Sequence, residues 1–225
     1  MDLNEAIRFR KSIRAYKPAP IPKKILAELL ETCLRAPSWG NTQPWEFAVV
    51  GSKVMDELKR ALVQKAEEDA PENPDIPAPA FADRYLERRK ENGRQLFEVL
   101  GIAREDREKR RQWYLTGINF FGAPNAIIVY IDKSLGAWSI LDAGIVMQTI
   151  MLAAQSYGLG TCALYRGIIY PDELRRILKI PESKLIVCAL TIGYPDMDAP
   201  QNRFWSTRDP LDTFTTWHGI EEVNT

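Results

Sequence analysis

Trp138-Ser139-Ile140-Leu141-Asp142-Ala143-Gly144-Ile145-Val146-Met147-Gln148-Thr149-Ile150-Met151-Leu152-Ala153-Ala154-Gln155-Ser156-Tyr157 is the stretch on which the fold turns. It contains no proline, and Ile140, Leu141, Ala143, Gly144, Val146, Met147, Ile150, Met151, Ala153 and Ala154 cover most of a helical circumference. A helix so apolar is expected to be buried on nearly all sides. In a chain of 225 residues that points to a central helix at a subunit interface. Gly158-Leu159-Gly160 ends it, and Thr161–Tyr165 follows as a strand. Beyond it, Pro171–Leu178 reads as a short helix and Leu185–Ile192 as a fully apolar strand. On the other side, Ala126–Ile131 is a further strand.

Working upstream, residues 2–9 suit a short helix with Asp2 as N-cap, and a second helix runs from Pro22 to about Ala36. Its apolar face is Ile25, Leu26, Leu29, Leu30, Cys33 and Leu34. Trp45–Val50 is strand-like, and Ser52 is expected to cap a helix through Glu68. Pro71, Pro74, Pro77 and Pro79 then forbid regular structure over 70–80. Two charged helices, roughly Phe81–Leu100 and Arg104–Gly117, carry too few apolar residues for a core of their own. The expected architecture is α+β: one domain over 1–225, with a central mixed sheet of about four strands flanked by helices. Residues 70–117 form a helical insertion, and the aromatic tail 198–225 forms a C-terminal arm onto the partner subunit of a homodimer.

Thirty basic and thirty acidic side chains cancel, so no net field favours nucleic acid or an anionic membrane, and any anion site must be local. The acidic start at Asp2 and Glu5 is unlike a signal peptide, and the longest uninterrupted apolar runs, Ala126–Ile131 and Leu185–Leu190, are strand-sized. The expected location is cytoplasmic. Cys33, Cys162 and Cys188 are odd in number and lie in apolar runs, which suits buried thiols. A single histidine, His218, argues against a histidine metal site or a catalytic triad. Neither G-x-x-x-x-G-K-[ST] nor a G-x-G-x-x-G after a strand is present.

Four constellations could carry chemistry. Arg8-Phe9-Arg10-Lys11-Ser12-Ile13-Arg14 gathers four cations and a hydroxyl, suited to one anion, although a solvated helix end explains the charges as well. Ala36-Pro37-Ser38-Trp39-Gly40-Asn41-Thr42-Gln43-Pro44-Trp45 is a stiff polar loop that could border a planar heterocycle or be a capped turn. Gly158–Gly160 could allow close backbone approach to a ligand or serve only as a helix end. The tail stretch Asn202–Leu211 brings Arg203 and Arg208.

Taken in order, these pieces resemble the nitroreductase family. Arg10-Lys11-Ser12 with Arg14 matches its R-[RHK]-S-x-R/K opening. Ala36-Pro37-Ser38 with Asn41, Gln43, Pro44 and Trp45 matches A-P-S-x-x-N-x-Q-P-W. Gly158–Thr161, Gly193-Tyr194-Pro195 and Arg208-Asp209-Pro210-Leu211 match G-L-G-T, G-Y-P and R-x-P-L. Arg88–Gly93, Gly101–Asp106 and Phe120–Pro124 resemble a branch with an enlarged insertion.

The resemblance implies FMN as cofactor and NAD(P)H as electron donor in a ping-pong cycle. A small nitroaromatic or quinone-like molecule would be the acceptor, and no protein group would be needed as acid or nucleophile. It assigns Arg10, Ser12 and Arg208 to the FMN phosphate, with Lys11 nearby, and Arg14 to the pyrimidine edge of the ring. Pro37, Ser38 and Asn41 would come from the other subunit, Ala163 and Leu164 would offer backbone to the ring, and Asn119 would bond its edge. Trp39 would wall the substrate slot. Ser206 stands where many relatives carry a second cation, with Arg203 as the nearby substitute. The same flavin site could also serve reductive dehalogenation, flavin degradation or dehydrogenation of a metabolite, or belong to a non-enzymatic flavin-binding protein.

Overall fold

The computed structural model describes residues 2–220. Asp2 opens helix α1 (Leu3–Phe9) by a capping box in which the Glu5 carboxylate accepts the Asp2 backbone N–H at 3.3 Å. Helix α2 (Lys23–Cys33) leads through the 34–45 loop into strand β1 (Glu46–Gly51). Helix α3 (Ser52–Glu67) starts on Ser52 itself, with Gly51 as N-cap. The expected serine cap therefore does not form, because Ser52 adopts a left-handed φ of 55° to turn the chain out of the strand.

Helices α4 (Asp83–Val99) and α5 (Arg107–Ile118) follow the proline-rich segment, and strand β2 (Asn125–Asp132) comes next. Helix α6 (Ala137–Ser156), strand β3 (Gly160–Leu164), helix α7 (Pro171–Leu178) and strand β4 (Lys184–Gly193) complete the frame.

The strand order is β1-β2-β4-β3 and every pairing is antiparallel, which corrects the mixed sheet expected from the sequence. β2 and β3 do run parallel across the α6 crossover, but β4 lies between them and pairs with both in the opposite sense. The parallel component is reduced to one isolated bridge between Ser12 and Thr161.

Alternation along the strands divides the core. Ile127, Val129 and Ile131 face α2 and α6, whereas Ala126 and Ile128 face α3, α5 and α7. The register slips between Val129 and Tyr130, whose partners Cys188 and Ile186 leave Val187 as the extra residue of a bulge. Leu29, Val129 and Ile150 on one side and Leu58, Leu62 and Ile118 on the other are fully buried. Each such aliphatic side chain contributes roughly 1.5–3 kcal/mol of transfer free energy. Helix α5 belongs to this core: Ile118 is fully buried, and Trp113, Tyr114 and Leu115 pack against the α3 side.

Helix α6 is covered only in part by its own chain. Ala143, Val146, Met147, Ile150 and Ala154 are buried against the sheet, but Trp138 is 65% and Leu141 52% exposed, so one face alone is covered by its own chain. By length and composition α6 could also cross a membrane, because its polar residues are spaced too widely to break the apolar pattern. Its inner face packs against α2, β2 and β3 of the same chain.

The tail begins packed on its own chain. Asn202 and Phe204 are buried against their own subunit, while Trp205, Leu211, Phe214 and Trp217 stay exposed. Residues 221–225 of the expected arm lie outside the described residues.

Candidate functional site

The 10–16 segment leaves α1 at Arg10 in an extended conformation and runs along the free edge of β3. Ile13 donates its backbone N–H to the Thr161 carbonyl at 2.9 Å. Gly160 is required beneath it, since a Cβ there would meet the Ile13 side chain at 2.5 Å. Further on, Tyr16 bridges Pro195, and its hydroxyl donates to the Ile13 carbonyl at 2.8 Å and shares a 2.6 Å hydrogen bond with Thr191 Oγ1. Burial pushes the Tyr16 phenol well above its ordinary pKa, so this group is a neutral strut. With alternate side chains pointing to opposite sides, Ile13 and Ala15 enter the core while Ser12 and Arg14 remain available.

That available side forms one wall of a cleft of about 1020 Å³. Helix α4 supplies Glu87, Arg88, Glu91 and Asn92, and the tail supplies Phe204 through Asp209 together with Phe214. Arg10, Lys11, Ser12, Arg14 and Arg208, five residues singled out from the sequence, therefore meet in one place. Arg8 and Arg88 join them, so six cations face three carboxylates (Glu87, Glu91 and Asp209).

The Arg88 guanidinium binds the Asp209 carboxylate and lies 5.2 Å from the centroid of Phe214, tying α4 to the tail. Arg8 and Arg10 have no carboxylate partner among the described residues, and Arg14 Nη1 reaches only the Ser12 carbonyl at 3.4 Å. Burial lowers the Lys11 pKa, an effect that a bound anion would reverse. Such a cleft suits a phosphorylated organic molecule: unpaired guanidinium groups and the Ser12, Ser206 and Thr207 hydroxyls offer donors to an anion.

Arg208 Nη1 donates to Ser206 Oγ and to the Thr207 carbonyl, both at 2.8 Å. Arg203, the nearby substitute for the cation absent at Ser206, points elsewhere in the single chain. Its guanidinium donates to the Asp198 carbonyl at 3.2 Å, and the residue does not line the cleft.

The other residues lie elsewhere on the chain. Ala163 is exposed on β3, and the Leu164 side chain is buried in the core. Asn119 ends α5, half-buried, where its carbonyl accepts the Gly122 N–H at 3.0 Å. Phe120 and Phe121, which follow it, hold left-handed φ values of 54° and 53°, a conformation costly for aromatic residues.

Pro37, Ser38, Trp39 and Asn41 lie on the loop before β1 and do not line the cleft. Gly40, Asn41 and Gln43 take φ values of 57°, 58° and 47°, and Ser38 Oγ accepts the Gln43 N–H at 3.0 Å. Trp39 is 67% exposed.

Sequence reasoning missed the contribution of α4 and the part played by Asn202. Arg88 and Asn92 sit one helical turn apart on a charged helix, a pattern that a solvated surface shows equally well.

The chain is similar along nearly its whole length to proteins of known activity. It is 32% identical over 221 residues to the 4-nitrobenzoate reductase of Pseudomonas putida, covering 98% of this chain and 97% of the relative. It is 30% identical to the nitrobenzene nitroreductase of Ectopseudomonas oleovorans, covering 96% of each chain. Among solved structures, the FMN- and NADPH-dependent nitroreductase NfnB of Sphigopyxis sp. strain HMH superposes with a TM-score of 0.93 at 29% identity, covering 98% of this chain and all of that one. NfnB of Mycobacterium smegmatis, solved in complex with NADPH, gives 0.90 at 30% identity, covering 96% of this chain and 97% of that one. With the ordered motifs, the cationic cleft and the sheet order already in place, the match of residues 7–194 to the nitroreductase family model shows that the chain belongs to that family.

Proposed function

We propose that the chain is an FMN-dependent oxidoreductase that draws on NAD(P)H to reduce small nitroaromatic or quinone-like acceptors. The observation that carries this reading is the meeting of Arg10, Lys11, Ser12 and Arg14 with Arg208 in one cleft. The residues fit the cofactor: unpaired guanidinium groups beside hydroxyls suit a phosphate dianion. The volume is at the upper end of the ~300–1,000 Å³ common for small-molecule sites, enough for a flavin mononucleotide and a flat molecule stacked on it. The relatives' activities and the FMN dependence of the similar structures support the same conclusion.

Bound FMN would supply the redox chemistry, accepting and donating electron pairs at its ring. The chain's own groups bind and orient it. Arg10, Ser12 and Arg208 hold the phosphate, and Lys11 adds charge close by. Arg14 faces the pyrimidine edge, where a fixed cation favours negative charge; at ~4 Å and an effective dielectric near 20 the attraction is about 4 kcal/mol before desolvation. Ala163 and Leu164 would offer backbone to the ring and Asn119 would bond its edge, reaching it from outside the cleft lining of the single chain.

Pro37, Ser38 and Asn41 complete the site from the second subunit of a homodimer, and Trp39 walls the acceptor slot. Exposed Trp138 and Leu141 on α6, with Leu3, Ile7 and Phe9 on the adjoining α1, support such an interface. Exposed Trp205, Leu211, Phe214 and Trp217 support the 198–225 tail as a partner-facing arm. The unit is a single domain with 70–117 inserted, and its location is the cytoplasm.

Anaerobic mixing of FMN-loaded protein with NADH and NADPH in turn tests the reading. Flavin absorbance should bleach, and 4-nitrobenzoate or a quinone should restore it. Failure to retain FMN, or no bleaching with either nicotinamide, would overturn it.

A further inference from the structure

We infer that Asn202 is the positioning residue of the phosphate site, an inference that rests on the FMN reading above. Asn202 sits in the Pro200–Asn202 turn and is 1% exposed. Its Nδ2 donates to the Ala15 carbonyl and to the Asp196 carbonyl, both at 2.8 Å, and its Oδ1 accepts the Arg14 backbone N–H at 2.7 Å. Its own carbonyl accepts Lys11 Nζ. One amide thereby uses both donors and its acceptor on backbone groups, two of them directly after Ser12-Ile13 at Arg14 and Ala15.

The contacts continue along the tail. Phe204 is buried with the Arg14 guanidinium 5.9 Å from its ring centroid, and Lys11 Nζ stands 4.4 Å from the centroid of Trp205. Ser206, Thr207 and Arg208 follow directly into the cleft.

Asn202 thus locks together two segments separated by nearly the full length of the chain, each carrying part of the cation set. Beyond it the tail has little regular structure, and residues 205–210 are exposed. Without the amide, ordering the tail would draw on ligand binding; the loss would fall chiefly on the phosphate, since Lys11, Ser12 and Arg208 lie on the two clamped segments, and less on the ring, which of the clamped residues only Arg14 serves. No other side chain of this length offers two donors and an acceptor. Aspartate would set carboxylate oxygens against the Ala15 and Asp196 carbonyls, and serine would fall short of at least one of them.

The test compares FMN with riboflavin, which has the same ring and no phosphate. Kd for both is measured by fluorescence titration on wild type, Asn202→Asp and Asn202→Ser, with Tm recorded alongside. Wild type should prefer FMN. Both variants should weaken FMN binding about 10- to 100-fold, the range for losing charge-assisted contacts. Riboflavin affinity should fall by a smaller factor, through Arg14, so that the preference for FMN narrows. A folded variant that keeps the wild-type preference overturns the assignment. Failure of both variants to fold would make Asn202 a determinant of the fold and likewise overturn it. Absence of any FMN preference in wild type would instead strike the phosphate-site reading itself.

Discussion

Asp142, on the buried face of α6, accepts the backbone N–H of Trp39 through both carboxylate oxygens at 3.2 Å. This contact seats the 37–43 loop on the central helix, although Trp39 itself is exposed and Asp142 is 3% exposed. Asp142→Ala leaves that donor unpaired, at a cost of about 1–3 kcal/mol. Tm should fall by roughly 2–12 °C at the ~2–4 °C per kcal/mol expected for this size. Amide exchange over residues 38–43 should accelerate, and Asp142→Asn, which keeps an acceptor, should do less. Unchanged exchange in the alanine variant would show that the loop is held by its own turns.

A larger stability effect is expected at Asp75. Its Oδ2 accepts Arg175 Nη2 at 2.6 Å and the Ile186 N–H at 2.7 Å, pinning the proline-rich segment to β4 and α7. The two side chains are 12% and 8% exposed. Removing one partner of a buried pair costs about 3–5 kcal/mol because the other charge is stranded. Asp75→Ala should therefore lower Tm by roughly 6–20 °C, read by calorimetry. A change below about 2 °C would mean that Glu182, 3.3 Å from Arg175 Nε, suffices to hold the guanidinium.

Arg10 and Arg14 should separate in their effects. Arg10→Ala is expected to weaken FMN binding about 10- to 150-fold through loss of a charge-assisted contact to phosphate. Arg14→Ala should weaken it less and lower the flavin midpoint potential by about 30 mV for each 1.4 kcal/mol of lost attraction to the reduced ring. Spectroelectrochemical titration beside fluorescence titration checks both. Superimposable potentials for Arg14→Ala and wild type would remove Arg14 from the ring.

Thiol reactivity should depend on pH. Burial raises the Cys33 and Cys188 pKa values to about 11 and also raises that of Cys162. All three should stay unreactive toward a disulfide reagent at pH 8 in the native protein and titrate fully in denaturant. Because the folded values lie above the ordinary 9.0, the contribution of the neutral thiols to stability is complete below about pH 9 and lost as pH rises through about 11. Denaturant midpoints measured from pH 8 to 11 should fall. Rapid native labelling at pH 8 would contradict the assignment.

Leu141→Asp tests the interface. Leu141 is 52% exposed in the isolated chain, so the change should leave the fold intact while setting a charge in the proposed contact. Light scattering coupled to size exclusion should then report a monomer with reduced FMN content. A dimer with full FMN would exclude this face of α6.

Several features are legible in the order of residues alone. The stripe Ile25, Leu26, Leu29, Leu30, Cys33 and Leu34 predicts α2, and the apolar run of β2 and the glycines after α6 are equally plain, because these signals depend on local backbone geometry. The cation cluster at 8–14 is visible too, but its residues do not by themselves separate an anion site from a solvated helix end. The difference depends on what lies opposite, and Arg88 and Arg208 come from distant segments.

The positions of the helices and strands, the family and the cations of the 8–14 segment follow from the residues in their order, since propensity, periodicity and ordered motifs are properties of neighbours along the chain. Three outcomes needed the packed molecule: β4 enters between β2 and β3, α6 leaves Trp138 and Leu141 uncovered, and Asn202 clamps Arg14 to the tail. Each is a choice of non-local partner. A strand's pattern records how many faces are buried, and a buried amide records only that it must be satisfied. Which segment covers the face or accepts the proton emerges when the whole chain packs.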